Sequence, residues 1–288
     1  MSIQIVYYLC FFMQRIYRIL VSSILLFVLI IFHAQNGFTM SLAADSLGIT
    51  TGEDAVDAPY EILKDTGIDE SVQDGIMPEA IDVEGNSYRV VKIGSLYWMA
   101  ENLRTTTYND GTPVPLIEDF SRWSSLSSPA FCWYQNAEEQ YKSEYGALYN
   151  WYAINSDKLC PSGWHIPSDK EWKKLEIVIG LSSNLIDSVG FRGTNEAVQL
   201  KIKSDFYWRD RDIEEATNKS GFSAVPGGGR SGHNSLFYSV YEGAGWWSST
   251  EYKLDLAWMR GINKSSNTIM RLVNSKKDGL SVRCVKDQ

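Results

Sequence analysis

The sequence predicts an α+β domain. Three observations carry that expectation: short strand-and-turn patterns from Ile81 to Met99, one strongly capped amphipathic helix beginning at Ser168, and short strands broken by glycine clusters after it. Strands, then helices, then strands again within one stretch is the order of an α+β fold.

Glu84-Gly85-Asn86 is turn chemistry ahead of a strand over 88–93. Gly94-Ser95 then turns the chain into a second strand over 96–99. Asn109-Asp110-Gly111 marks a further turn. The aromatic-rich stretch 145–154 fits helix and strand equally, since its periodicity does not decide between them. Ser168 and Glu171 form a capping box, Pro167 precedes it, and Gly180 ends the helix. Trp172, Leu175, Val178 and Ile179 fall on one face of that helix, while Lys170, Lys173, Lys174 and Glu176 take the other. Trp172 therefore reads as core. A second short helix is expected near 196–203, before strands interrupted by Gly227-Gly228-Gly229, Gly243–Gly245 and 277–279.

The chain has 288 residues, 44% hydrophobic and 13% aromatic, enough to bury a substantial core in one large domain or two small ones. Its net charge of −8 and the absence of any Lys/Arg cluster argue against nucleic acid, because phosphate binding needs a basic face. Residues 1–44 read as a signal peptide or N-terminal anchor. Arg15 and Arg18 precede the apolar run 19–32, and small residues at Ser41 and Ala43 suit cleavage. Met13 is a candidate start as well as Met1. The apolar run is short for a span of about 20 residues, and no cysteine follows it closely as a lipid anchor would require. Export, to the cell surface or the medium, is the expectation, with membrane contact only through an uncleaved leader. From Asp45 to Asp82 there are eleven acidic residues and one basic one, Lys64. Such a composition cannot offset its ordering entropy by burial, so 45–80 reads as an acidic flexible spacer ahead of a domain at 81–288.

Export permits disulfides. Beyond the leader remain Cys132, Cys160 and Cys284, an odd number that allows one internal bridge. Cys160–Cys284 is the expected pair, contributing about 4–5 kcal/mol through loop closure. Cys132, between Phe131 and Trp133, reads as a small core hydrophobe.

Little in the chain looks catalytic. His165, between Trp164 and Ile166, reads as a core or turn residue. His233 lies in the glycine-rich stretch 227–235 and is the better candidate for a functional role. No His/Cys/carboxylate spacing suits zinc, and no nucleophile-elbow sequence supports a Ser-His-Asp triad. Gly227-Gly228-Gly229 lacks the following Lys-Ser/Thr of a phosphate loop and reads as a tight loop near Arg230. The acidic pairs Asp210/Asp212 and Glu214/Glu215 could flank a glycosidic bond, yet fit a charged loop better. Trp246 and Trp247 are adjacent, so in a strand one points inward and one outward. An outward Trp beside Tyr252 or Tyr241 could stack on a sugar ring or anchor a partner.

The segments KIGSLYWMAENL (92–103), YNDGTPVP (108–115), FCWY (131–134), YGALYNWYA (145–153), LCPSGWHIPSDKEW (159–172), GFSAVPGGGR (221–230), WWSSTEY (246–252) and SVRCV (281–285) resemble, in order, the Fibrobacter succinogenes major paralogous domain family. The resemblance covers residues 81–287. It implies exported bacterial surface proteins without an established enzymatic activity. It also implies a C-type-lectin-like layout: a small twisted antiparallel sheet, two helices and long loops. Fold analogy alone does not assign function. The Glu-Pro-Asn, Gln-Pro-Asp and Trp-Asn-Asp motifs of calcium-dependent lectins are absent; Ser248-Ser249-Thr250 follows Trp247 and is poor material for a Ca²⁺ cage. The cysteine pair of sulfatase-modifying oxidases is absent too.

The expectation is a non-enzymatic recognition module for a polysaccharide or surface protein, without metal or cofactor, in which Arg230, His233, Trp246, Trp247 and Tyr252 line the binding loops. A structural or adhesive component of a surface assembly is the alternative, and a hydrolase or cysteine-dependent oxidase a third reading.

Overall fold

Alternating apolar residues on either side of the Gly94-Ser95 turn build the first hairpin. β1 (Val90–Ile93) and β2 (Leu96–Met99) pair antiparallel, with Val90 opposite Met99. Gly94 takes the left-handed turn position at φ 63°. The computed structural model describes residues 77–204, 207–208 and 216–287. The expected leader, the expected spacer up to residue 76, and Asp210, Asp212, Glu214 and Glu215 lie outside the described residues. Glu79 and Ala80, assigned to the spacer, pack on the domain: Trp164 Nε1 donates to the Glu79 carbonyl at 3.0 Å, and Tyr88 N to that of Ala80 at 2.9 Å.

The architecture is α+β, with more sheet than one small sheet. β12 (Val285–Lys286) inserts between β2 and β5 (Trp164–His165), giving a four-stranded antiparallel sheet ordered β1-β2-β12-β5. β3 (Phe131–Cys132) and β4 (Leu148–Tyr149) form a two-stranded ladder. The largest sheet has six strands: β6 (Gly190–Arg192), β7 (Gly227–Arg230), β8 (Phe237–Val240), β9 (Gly243–Lys253), β10 (Leu256–Asn263) and β11 (Ile269–Ser275), in the order β6-β11-β10-β9-β7-β8. Its long antiparallel hairpin β9–β10 carries a bulge between Ala257 and Met259.

Five helices are seen among the described residues: α1 (Phe120–Ser125), α2 (Glu138–Tyr145), α3 (Trp151–Ile154), α4 (Asp169–Val178) and α5 (Glu196–Leu200). The ambiguous stretch 145–154 resolves as both, a short strand β4 followed by α3, whose N-cap Asn150 accepts from Ala153 N. Gly227-Gly228-Gly229 is strand, not loop. A Cβ on Gly228 would lie 2.3 Å from the Tyr238 carbonyl oxygen, so only glycine lets β7 and β8 approach so closely.

The α4 capping box forms as the sequence predicts. The Ser168 hydroxyl accepts from Glu171 N, and Glu171 accepts from Ser168 N at 2.8 Å. The helix faces differ from expectation in two places: Val178 is 54% exposed, and Glu176 is buried. Buried arginines from the large sheet explain Glu176. Its Oε1 accepts from Arg260 Nε at 2.5 Å and Arg192 Nη2 at 2.6 Å. A little under two turns earlier, Asp169 Oδ1 accepts from Arg260 Nη1 and Arg271 Nε, each at 2.9 Å, and Oδ2 from Arg271 Nη2 at 2.9 Å. Burial would raise the Asp169 carboxyl, but Arg271, Lys173 and Arg260 together hold it well below the carboxylate range. The helix is thus fixed to β10, β11 and β6 by charges as well as by Trp172 and Leu175.

A fourth buried arginine links segments outside the strands. Arg283 donates Nε to Asn102 Oδ1 at 2.9 Å, Nη2 to the Ser223 carbonyl at 2.9 Å, and Nη1 to the Phe222 carbonyl. Its guanidinium lies 4.1 Å from the Phe222 ring centroid. Burial lowers its pKa to about 9. Asn102 also accepts from Trp246 Nε1 at 2.9 Å.

Cys160 and Cys284 are disulfide-bonded across 124 residues, and both are buried. Cys132 is a free, fully buried thiol that burial pushes up to about 12. We expect neither the bridge nor Cys132 to react in the native state. Thiol titration and reductant treatment should both require denaturant; rapid labelling of Cys132 in native buffer would contradict this burial. Arg260→Met, which leaves buried Asp169 and Glu176 short of a partner, should lower unfolding stability by about 3–5 kcal/mol in urea titrations. A loss below about 1 kcal/mol would show that the cluster does not hold the helix.

Candidate binding surface on the β9–β10 hairpin

The five residues expected to line a binding surface do not converge. Trp246 is 1% exposed and Trp247 0%. They do point to opposite faces of β9, but both faces are covered. Trp246 packs with Trp172 and Phe222 beneath α4, and Trp247 packs with Met259, Leu280 and Trp151 on the other side. Neither can be an outward platform. Arg230 is fully buried as well. It donates to the carbonyls of Ile117 and Glu118 at 2.8 Å and of Ser235 at 3.2 Å, with Trp123, Phe237 and Phe120 ring centroids at 4.5, 4.8 and 5.3 Å. Every arm of its fork is used to tie α1 to β7–β8. His233 is exposed in the loop after β7, where its backbone N donates to Ser231 Oγ at 3.2 Å.

Tyr252 differs: it is 43% exposed, near the end of β9. Across the hairpin stands Trp258, half-buried, with ring centroids 5.0 Å apart and planes at 73°. Trp258 shares a strand face with Arg260, and Arg260 faces α4, so Trp258 sits on the part of that face reached past the helix N-terminus. The Arg271 guanidinium stacks on Trp258, 3.5 Å from the ring centroid. Arg271 is itself held twice by Asp169 and donates Nη1 to the Asp187 carbonyl at 2.9 Å. A cation–π contact of this kind contributes on the order of 1–2 kcal/mol when desolvated, and it fixes the indole plane.

The border is polar. Lys173 bridges Asp169 at 2.9 Å and Asp187 at 2.6 Å, and the Asp187 side chain remains 79% exposed. The hydrogen bond from Lys173 keeps the Asp187 carboxyl below its usual range. Lys253 lies over the Tyr252 ring at 5.2 Å, and Leu254 at the hairpin tip is 82% exposed. Sequence reasoning missed Trp258. The usable signal was the alternation of Trp258, Arg260 and Ile262 against Ala257 and Met259, with tyrosine and tryptophan straddling one turn.

A family model described as the Fibrobacter succinogenes major domain matches residues 91–286. The chain belongs to this family. No curated protein and no solved structure matches it. The match runs from β1 to β12 and includes both the capping box and the Trp258 platform.

Within this Fibrobacter succinogenes major domain, His165 is a surface clamp. Its Nδ1 meets Asp287 Oδ1 at 2.6 Å and its Nε2 meets Glu171 Oε1 at 2.8 Å. The bond with Glu171 chiefly, and that with Asp287, raise His165 to about 9 against the opposing effect of burial. Among the described residues, no group of three or more His, Cys, Asp or Glu is placed to hold a metal ion. The raised imidazole contributes stability that is full below its unfolded pKa of about 6.5 and is lost as pH rises through 9. Urea midpoints should therefore fall between these pH values, and His165→Asn should flatten that part of the profile. An unchanged slope in the variant would show that His165 is not the titrating group.

Proposed function

We propose that this domain is a non-enzymatic recognition module, exported to the cell surface or the medium, that binds a polysaccharide through the Tyr252–Trp258 platform. The observation that carries the reading is the Arg271 guanidinium stacked on a half-buried Trp258, with Tyr252 edge-on and exposed. Sugar rings present apolar C–H faces that stack on aromatic rings, while their hydroxyls seek polar neighbours. A platform held rigid before binding loses little entropy when a ligand arrives. The exposed Asp187 carboxylate supplies an acceptor beside it. Export is supported by the charged and apolar leader and by a buried disulfide, which suits an oxidising compartment. A C-type-lectin-like arrangement of sheet, helices and loops belongs to the same proposal and rests on motif order.

The test is binding to immobilised polysaccharides. Trp258→Ala and Tyr252→Ala should each remove a stacking surface worth about 0.5–1.5 kcal/mol, a roughly two- to tenfold loss of affinity, in proteins that stay folded, Trp258→Ala losing about 1–2 kcal/mol of stability with the Arg271 contact. Full binding by the folded double variant would overturn the platform. Trp246→Ala and Trp247→Ala are unsuitable probes, because both would open cavities in the core.

A further inference from the structure

The charges around the platform narrow the ligand. Arginine is the side chain best shaped to grip a carboxylate or sulfate through its planar fork. The arginine here has no free fork: Nε and Nη2 of Arg271 serve Asp169, and Nη1 serves the Asp187 carbonyl. Lys173 is shared by two carboxylates. Lys276 is bound by Glu251 at 2.8 Å and the Leu254 carbonyl at 2.8 Å. Lys253 lies over the Tyr252 ring at 5.2 Å, and Asp255 follows two residues later in the sequence, so the hairpin tip carries one charge of each sign. The hairpin and its supports thus carry Lys173, Lys253, Arg271 and Lys276 against Asp169, Asp187, Glu251 and Asp255. The Asp187 carboxylate, 79% exposed although paired with Lys173 at 2.6 Å, keeps acceptor capacity for hydroxyls and adds negative charge at the rim.

We infer that the platform takes an uncharged polysaccharide, a chain of neutral hexose or pentose rings, rather than a uronate or sulfated polymer. This rests on the platform reading above. Neutral rings match an apolar floor with acceptors at its rim; an acidic ring would meet the Asp187 carboxylate and find Arg271, Lys173 and Lys276 already engaged by carboxylates and carbonyls.

Affinity electrophoresis of the full chain with xylan, mannan and β-glucan, and with polygalacturonate and heparin, tests the inference at low and high salt. We expect binding to at least one neutral polymer, changing less than roughly twofold with salt because no net ionic contact is screened, and reduced in Trp258→Ala. Binding confined to polygalacturonate or heparin, weakened roughly tenfold by salt and lost in Trp258→Ala, would overturn the neutral ligand and leave the platform standing. Binding to none of the five polymers would remove both.

Discussion

Arg260 lies beneath α4 with its guanidinium divided between Asp169 and Glu176, and the placement of the neighbouring elements follows from that division. Ionised groups withdrawn from water are tolerated only when each finds an opposite charge in good geometry. Two carboxylates a little under two turns apart on the helix must therefore meet three arginines from β6, β10 and β11 together. This condition fixes the helix in rotation and along its axis, which hydrophobic packing alone would leave looser. The same Asp169 orients Arg271, and Arg271 orients Trp258. The surface platform is thus an outcrop of the buried cluster. At the other end, the Ser168–Glu171 cap places Asp169 in the first turn, where the helix dipole also favours a carboxylate, and His165 holds Glu171 in place.

Local rules were legible in the sequence. The Gly94 turn and the capping box rest on chemistry that a few neighbouring residues define, and three cysteines allow one bridge, which falls to Cys160–Cys284 once Cys132, between Phe131 and Trp133, is taken as core. Glu176 was not legible, because its position on α4 reads as solvent-facing unless Arg192 and Arg260 are known to lie beneath it. Trp246 and Trp247 show the same limit. Strand alternation correctly separates their faces, but only tertiary structure reveals that both faces are covered. Gly227–Gly229 reads as a loop because a glycine run favours turns; close approach of β7 to β8 decides otherwise. The site moved for one reason: exposure depends on where a strand outruns its covering helix, and composition does not record that.

The charged cluster and the aromatic pair at the hairpin follow one pattern. Arg260 and Arg271 serve carboxylates and carbonyls within the fold, and at the hairpin aromatic side chains reach the surface. Arg283 and Arg230 follow the same pattern. Both are buried, and both donate to backbone carbonyls of distant segments, so cations act here as cross-links between loops that have few ladder hydrogen bonds of their own.

The position of β12 has a consequence for how the chain reaches this state. Its Val285 pairs with Trp98 on one side and His165 on the other, so strands made early stay apart until a segment made nearly two hundred residues later arrives. Contacts of such long sequence separation slow folding, and no nascent chain that stops short of residue 285 can close this sheet. The four-stranded sheet and the Cys160–Cys284 bridge both close only with the last strand, so that part of the domain is completed from its C-terminal end.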